Sequence, residues 1–272
     1  MGNWAKTLFG KEKFDEVGIV VAGTISPEFE KNILGFFDKV ISSKDAVYHA
    51  HLASKKGKEY PIVFNVYGAP AMVDLLTQMH DGGCKTVLFV GSAYGGFKNL
   101  DVGSIVLPIK SYHFDGLYHP IEPDRKLDYS DKDLTVKLEK LLKKQKINYS
   151  IGTNISVPAV TFQLPHANEE YRKINPSTVE MELAACYSRA KDLGMRSTGL
   201  LIISDNRKSS IGDHTKRELR HAAKTLVLKT LIENIDYFKL PELPNHKKFS
   251  IDAHLASIIE DPEDKTNIYR KK

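Results

Sequence analysis

The chain has 272 residues, of which 42% are hydrophobic and 27% charged, which fits one large α/β domain or two small ones. The net charge of +5 comes from Lys and Arg residues spread along the chain, without the compact basic stripe and interleaved aromatic residues that favour nucleic-acid binding. No apolar run is long enough to span a membrane and the N-terminus lacks a signal-peptide core, so we expect a cytoplasmic protein with neither nucleic acid nor membrane as a partner.

Short apolar and β-branched runs predict strands along most of the chain. They span residues 17–22, 46–53, 59–67, 86–90, 101–107, 149–157 and 198–204. Apolar residues at helical spacing, with capping and stop signals at their ends, predict helices between the strands. These span residues 26–40, 69–80, 131–146, 183–193 and 212–238. In the last helix we expect the core to be contacted by Leu219, Ala222, Leu226, Leu231 and Ile235.

The remaining segments are predicted to be irregular or separate. Residues 1–16 and 120–130 are polar and mixed, and we expect a lead-in and a loop. No repeat or interdomain linker is found, so one domain over residues 1–240 is expected. The composition shifts after that point, and residues 241–272 form a predicted extension with a short docking helix at 250–260.

The segment Ser177–Asn206 carries the strongest functional signal. Glu180 and Glu182 flank Met181 just before a predicted helix, and Asp205 directly follows the apolar run 198–204. Each acidic residue taken alone has an ordinary explanation, because carboxylates stabilise helix starts and form turns. Open α/β sheets bind ligands at the carboxyl ends of their strands, so the helix and strand together would bring these carboxylates to one site.

The sequence Val-Glu-Met-Glu at 179–182, followed by a helix and a strand ending in Ser-Asp at 204–205, resembles the nucleoside phosphorylase and nucleosidase superfamily. That superfamily includes the purine nucleoside phosphorylases and the uridine phosphorylases. The segments 89–107 and 114–120 are weaker matches. The resemblance implies an α/β fold, a single domain with a twisted mixed central β-sheet flanked by helices. It also implies a homo-oligomer, dimer or hexamer, that cleaves an N-glycosidic bond with phosphate or water.

The matched positions imply catalytic roles for two acidic residues. Glu182 corresponds to the family's glutamate that binds the ribose 2′- and 3′-hydroxyls, and an ionised carboxylate there would favour the oxocarbenium-like transition state. Asp205 corresponds to the general acid that protonates purine N7. A proton donor near neutral pH needs a pKa raised by burial, which the end of a buried strand can provide.

Other matched positions would bind the substrate. Met181 would lie against the sugar and Phe162 would stack on the base. The turn after the first strand and the Gly-Ser turn predicted at 91–96 would let backbone N–H groups approach an anion or a sugar, although a tight turn without a ligand is the simpler interpretation. The expected substrate-binding residues are Glu180, Met181, Phe162, Gly91, Ser92 and Gly23.

The sequence departs from the family where phosphate would bind. The family's phosphorylases clamp phosphate with arginines from three early segments, and this chain has no arginine before Arg125. Phe89 stands where one of these arginines is expected, and the turn 23–27 supplies none. His49 or His51 is the nearest substitute for the third. Backbone amides, Ser92 and a histidine or lysine would then have to bind phosphate, or phosphate is not the nucleophile.

The sequence matches the hydrolytic branch of the superfamily, the nucleosidases, no better. Its water-activating glutamate after the first strand is missing, and Glu28 is the nearest acid. The residues that recognise uracil are also missing, with His166 and Asn168 at the nearest positions, which favours a purine. We therefore predict a phosphorylase-like enzyme acting on a purine nucleoside, with hydrolysis or non-catalytic nucleoside binding as alternatives. No cofactor or metal is expected, because Cys84 and Cys186 lack metal-ligand spacing, and phosphate is the candidate co-substrate.

Overall fold

The computed structural model describes residues 4–45, 47–120, 122–162 and 169–244. Its helices are α1 Trp4–Phe9, α2 Pro27–Leu34, α3 Ala69–Asp81, α4 Lys132–Lys144, α5 Glu169–Ile174, α6 Leu183–Asp192 and α7 Arg217–Glu233. Its strands are β1 Val17–Ala22, β2 Lys39–Asp45, β3 His49–Lys55, β4 Lys58–Val66, β5 Thr86–Tyr94, β6 Ile105–His113, β7 Leu127–Tyr129, β8 Ser150–Ser156, β9 Thr178–Glu180 and β10 Arg196–Asp205. The docking helix predicted at 250–260 lies outside the described residues, as does most of the extension 241–272.

The strands of the described residues form one mixed sheet in the order β10-β6-β8-β9-β5-β1-β4-β3-β2, with β7 paired to β6. β1 is parallel to β4 and β5, and β10 is parallel to β5. Because β10 also pairs with β5, the strands β5, β10, β6, β8 and β9 close into a ring. This confirms the predicted α/β domain with a mixed central sheet. The carboxyl ends of β1, β4, β5 and β10 lie along one edge, because these strands run in the same direction.

Helices cover both faces of this sheet. Adjacent residues of β1 point to opposite faces, and Ile19 packs in a cluster with α2, α4 and α7 while Val20 packs in a cluster with α1, α3 and α6. Every residue of β10 except the last is buried, as its continuous apolar run predicts. No helix in the described part of the chain has both the length and the apolar character needed to cross a membrane.

The first long helix is shorter than the sequence predicts. Ser26 caps α2 by accepting a hydrogen bond from the Phe29 N–H at 3.3 Å, and Pro27 occupies the first position, as expected. The helix ends before Gly35 instead of reaching Val40. Residues 39–45 then form β2, an edge strand whose polar sequence gives little alternation signal.

Two stretches predicted to be irregular contain regular structure. Residues 4–9 form α1, which buries Phe9 in the core, and residues 127–129 form β7 against β6. The strand predicted at 101–107 begins only at Ile105 and continues to His113. Elements this short carry weak sequence patterns, and tertiary pairing determines where they form.

The last helix is also shorter than predicted, and its buried face differs. α7 is flanked by short 3₁₀ turns at 214–216 and 235–238 in place of a continuous helix over 212–238. Three of the residues expected in the core are exposed: Leu219, Ala222 and Leu226. The core positions Leu231 and Ile235 are confirmed, and Val227 and Leu228 join them. With this face of α7 buried, a row of basic residues of the helix lies toward the edge of the sheet.

A buried ion network holds the chain after β6. His113 Nε2 lies 3.0 Å from Asp128 Oδ2, and its Nδ1 lies 3.4 Å from Asp115 Oδ2. Arg125 binds Asp128 and also reaches Asp192 on α6. Burial alone would lower the pKa of His113, but its close contacts with the two carboxylates and their charges raise that pKa to about 9. Asp115 belongs to segment 114–120, which matches the family weakly. In this structure its partner is His113.

We expect His113→Gln to destabilise the fold more at about pH 6 than at about pH 9.5. The folded-state pKa is raised, so the charged imidazole contributes fully below its unfolded pKa of about 6.5, and the contribution is lost as the pH rises through about 9. At the lower pH the loss should be about 3 kcal/mol, as for removal of one member of a buried ion pair. Urea unfolding measures it, with the exposed His119→Gln as the control. Equal losses at both pH values would contradict the prediction.

Candidate active site

Residues from five separate parts of the chain lie at the sheet edge defined by the carboxyl ends of β1, β4, β5 and β10. The Gly68 N–H, just after β4, donates to Glu182 Oε1 at 2.7 Å. Lys224 Nζ on α7 donates to Ser92 Oγ on β5 at 2.8 Å, and the charge of Glu182 acts on this lysine. Asp205 ends β10 at the same edge. The predicted acidic site is therefore at the place where α/β sheets bind ligands.

Glu180 is fully engaged within the protein. It is 2% exposed, and its Oε1 accepts hydrogen bonds from Asn154 Nδ2 at 2.6 Å and Ser156 Oγ at 2.5 Å. Its Oε2 accepts from the N–H groups of Glu182 and Leu183 at 2.6 and 2.7 Å. Those amides open α6, where a carboxylate is favoured. Burial raises the pKa of Glu180 while these hydrogen bonds oppose the rise. We interpret Glu180 as a residue that shapes the site.

Glu182, the second glutamate of the motif, lies at the junction of β4 and α6. It is 5% exposed and stands at the start of α6, with its Oε1 held by the Gly68 N–H. Burial and the negative charge of Glu180 raise its pKa. The sequence-based expectation of a simply ionised carboxylate is therefore incomplete. Lys224 and the hydroxyls of a bound sugar would both favour the ionised form.

The two apolar residues predicted to contact substrate have different environments. Met181 is buried in a small cluster with Ile155, Val157, Tyr171 and Val179. Its contact with a sugar stays a prediction. Phe162 is 61% exposed on the 3₁₀ turn 160–162. Its stacking on a base stays a prediction.

Asp205 has the environment expected of a proton donor. Burial raises its pKa, as predicted, although the hydrogen bond from Ser204 Oγ and the charge of Arg220 oppose the rise. Arg220 also donates to the Ser204 carbonyl oxygen at 3.1 Å, so α7 supports the end of β10. A carboxyl group with a raised pKa can hold its proton until a leaving group needs it.

The prediction of a glycine-rich turn at 91–96 is wrong for residues 91–94. Residues 91–94 continue β5 and pair with β10. A Cβ on Gly91 would lie 2.7 Å from the ring of Phe89 and 3.0 Å from Leu201. Glycine is therefore required here by close packing in the sheet.

Gly23 keeps its predicted place after β1, whereas Ser92 lies within β5, two residues before the last residue of that strand. The Ser92 hydroxyl accepts the hydrogen bond from Lys224. Gly23 follows β1 with φ of 86°, a conformation that favours glycine, and its N–H donates to the Val66 carbonyl oxygen at 2.8 Å. The backbone turn after β1 therefore starts beside the end of β4.

A basic face of α7 is the largest feature that sequence reasoning missed. Arg217, Arg220, His221 and Lys224 follow the spacing i, i+3, i+4 and i+7, which puts them on one side of a helix. Burial and then the charges of Arg217, Lys224 and Arg220 lower the pKa of His221. This spacing could have predicted a basic face from the sequence. It was missed because the core face predicted for this helix was a different one.

A cavity of about 320 Å³ lies between this basic face and the strand ends. It is lined by Thr24, Ile25, Ser26, Phe29, Ser92, Ser204, Ile211, Arg217, Arg220, His221 and Lys224. A second cavity of about 510 Å³ extends from it between α2 and α7, and the two share Ser26, Phe29, Arg217 and His221. Hydroxyl groups and cations at the end of a parallel sheet suit a small anion.

Other candidates for anion or metal binding have partners elsewhere. His49 and His51, considered as substitutes for an arginine, both bind Glu30, at 2.7 and 2.8 Å. Within the described ranges, no group of three or more His, Cys, Asp or Glu side chains is placed to hold a metal ion. The basic side chains that line the 320 Å³ cavity come from α7.

The sequence model of the Phosphorylase superfamily matches residues 31–236. The chain belongs to the phosphorylase superfamily. The match covers Glu182, Asp205 and all four basic residues of α7, while the turn that begins at Gly23 precedes it. A relative of this phosphorylase-superfamily protein is the DeoD-type purine nucleoside phosphorylase of Clostridium perfringens. The two are 25% identical over 187 residues, which cover 65% of this chain and 76% of the relative.

Solved structures of phosphorylases and nucleosidases share the fold of this phosphorylase-superfamily chain. The purine nucleoside phosphorylase of Toxoplasma gondii in complex with immucillin-H has a TM-score of 0.68 at 14% identity, over 82% of this chain and 92% of that one. The 5′-methylthioadenosine/S-adenosylhomocysteine nucleosidase of Campylobacter jejuni has a TM-score of 0.67 at 14% identity, over 81% of this chain and 98% of that one. The futalosine hydrolase of Helicobacter pylori has a TM-score of 0.61 at 20% identity, over 82% of this chain and 96% of that one. The fold is thus common to enzymes with different acceptors, and the choice of acceptor depends on the site.

Proposed function

We propose that this protein cleaves the N-glycosidic bond of a purine nucleoside with phosphate as the acceptor. The observation that carries the proposal is the placement of Glu182 and a cationic cavity at one edge of the sheet. Membership of the phosphorylase superfamily supports a nucleoside as the substrate. The α7 cations support an anionic acceptor in a chain that lacks early arginines.

In the proposed reaction a phosphate oxygen attacks C1′ of the ribose as the bond from C1′ to N9 breaks. Positive charge develops on the sugar in the transition state. Glu182 accepts hydrogen bonds from the ribose hydroxyls, and its negative charge stabilises the sugar. The bonding electron pair moves into the purine, and Asp205 donates a proton to N7. The products are ribose 1-phosphate and the free base.

Asp205 supports a purine over a pyrimidine. A purine can be protonated at N7 as it leaves, whereas a pyrimidine offers no equivalent atom. The burial that raises the pKa of Asp205 favours the protonated form that this step requires. An enzyme for pyrimidine nucleosides would gain little from such an acid.

We expect base release from purine nucleosides to require phosphate. The purified protein would be incubated with inosine, adenosine, guanosine and uridine, each with and without phosphate, and free base and ribose 1-phosphate would be separated by chromatography. Phosphate-dependent release of a purine supports the proposal. Release at the same rate without phosphate would replace phosphorolysis by hydrolysis, and calorimetric binding of nucleosides without turnover would favour a non-catalytic relative.

We also infer a homo-oligomer, dimer or hexamer, from the family resemblance. The site would then lie near a subunit interface, as the resemblance implies. Light scattering coupled to size-exclusion chromatography measures the mass in solution, and a single species of about 31 kDa, the mass of one chain, would contradict the inference.

A further inference from the structure

Lys224 is a buried cation with hydrogen-bonding capacity to spare. It is 7% exposed, and its Nζ donates to Ser92 Oγ at 2.8 Å. An ammonium group carries three N–H donors. Within the described residues, Lys224 makes no further hydrogen bond and has no carboxylate within ion-pair distance. Two of its donors are therefore available to a ligand.

A structural role does not account for this lysine. Removing an ammonium group from water is costly unless an anion compensates for it. Burial lowers the pKa of Lys224 to about 8, and the charge of Glu182 opposes this shift only in part. Among the described residues, no carboxylate is in ion-pair contact with this buried cation, and Glu182 compensates for its charge only from a greater distance.

The cavity in front of Lys224 is suited to an oxyanion. Arg217 and Arg220 line it together with the lysine, and Thr24, Ser26 and Ser92 add hydroxyl-bearing side chains. No aspartate or glutamate is among its described lining residues. Lysine lacks the planar fork of arginine, but the hydrogen bond to Ser92 fixes the direction of its remaining donors.

We propose that Lys224 binds the acceptor phosphate and replaces the arginines that this chain lacks before Arg125. The inference rests on the proposed function, in which the acceptor must reach C1′ of a ribose held by Glu182. Lys224 is hydrogen-bonded to Ser92, which lines the cavity proposed for phosphate, and it also interacts electrostatically with Glu182, which is proposed to bind the ribose. Its removal should weaken phosphate binding far more than nucleoside binding, and Lys224 would thus determine whether phosphate or water is the acceptor.

Lys224→Met tests the assignment, because methionine keeps an unbranched apolar stem and removes the charge. The matched control is Lys229→Met on the same helix, since Lys229 is exposed and lies 3.9 Å from Glu233 on the surface. The KM for phosphate should rise roughly 10–100-fold in Lys224→Met, the effect of losing a hydrogen bond to a charged group. It should not change in the control. An unchanged phosphate KM in Lys224→Met would overturn the proposal.

Binding of inorganic phosphate, followed by phosphorus NMR, tests the site without turnover. Binding that is lost in Lys224→Met and kept in Lys229→Met supports the assignment, even if the wild type cleaves no nucleoside, an outcome that would refute the proposed function alone. Equal binding by the wild type and Lys224→Met, or no binding by the wild type, would overturn the assignment. Thermal unfolding confirms that each variant folds, and Lys224→Gln replaces Lys224→Met if the latter does not.

Discussion

Asp205→Asn should slow base release from inosine or adenosine by roughly 10²–10⁴-fold, the usual contribution of a positioned general acid. Asparagine keeps the volume of the side chain but cannot transfer a proton to N7. Burial raises the pKa of Asp205 in the wild type, which favours the protonated form that a general acid needs. Steady-state rates on both nucleosides measure the loss.

Nucleosides of 7-methylated purines provide the control for Asp205. Their leaving group already carries a positive charge, so the same variant should lose much less rate on them. If Asp205 only caps the turn after β10, asparagine would serve as well, and both rate and stability would be nearly unchanged. Equal losses on methylated and unmethylated substrates would refute the general-acid role.

Glu182→Gln should cost roughly 2–4 kcal/mol of transition-state stabilisation, measured as a fall in kcat/KM. The amide oxygen can still accept the hydrogen bond from Gly68, so the local fold is kept. The negative charge beside the developing cation is lost, and the amide binds the ribose hydroxyls less strongly. Wild-type activity in this variant would show that the role carried over from the Val-Glu-Met-Glu motif is wrong.

Glu180→Gln is the matched control for Glu182, two residues away and equally buried. We expect it to lower the unfolding temperature, because the Glu180 carboxylate accepts four hydrogen bonds from β8 and the start of α6. The opposite pattern, with Glu180→Gln stable but inactive and Glu182→Gln unstable, would reverse the roles assigned to the two residues.

The central elements could be predicted because each carries a local signal that tertiary contacts reinforce. The β-branched run 17–22 is buried on both faces, and the predicted helix 183–193 stops before Gly194, which adopts φ of 73°. The edge strand β2 and the three-residue β7 were missed because their sequences show neither alternation nor length. Their pairing depends on neighbouring strands that no local pattern reveals.

The candidate site was predictable only where its residues are close in sequence. Glu182 and Asp205 are joined by one helix and one strand, so their motif and their common edge could be inferred together. Lys224 reaches Ser92 from a helix that begins twelve residues after Asp205, and its position depends on which face of α7 is buried. The predicted face placed Leu219 and Leu226 inward, and it therefore hid the basic side.

The bonding of Glu180 affects how related sequences can be interpreted. A homologue that has lost its catalytic activity would still need this first glutamate, since without it the start of α6 and the end of β8 lose their common acceptor. The second glutamate, Glu182, accepts one hydrogen bond from Gly68, where Glu180 accepts four. Its substitution would therefore be better tolerated once selection for catalysis ends. In an alignment, the first position would report whether a protein can fold this way, and only the second would indicate which lineages have kept the reaction.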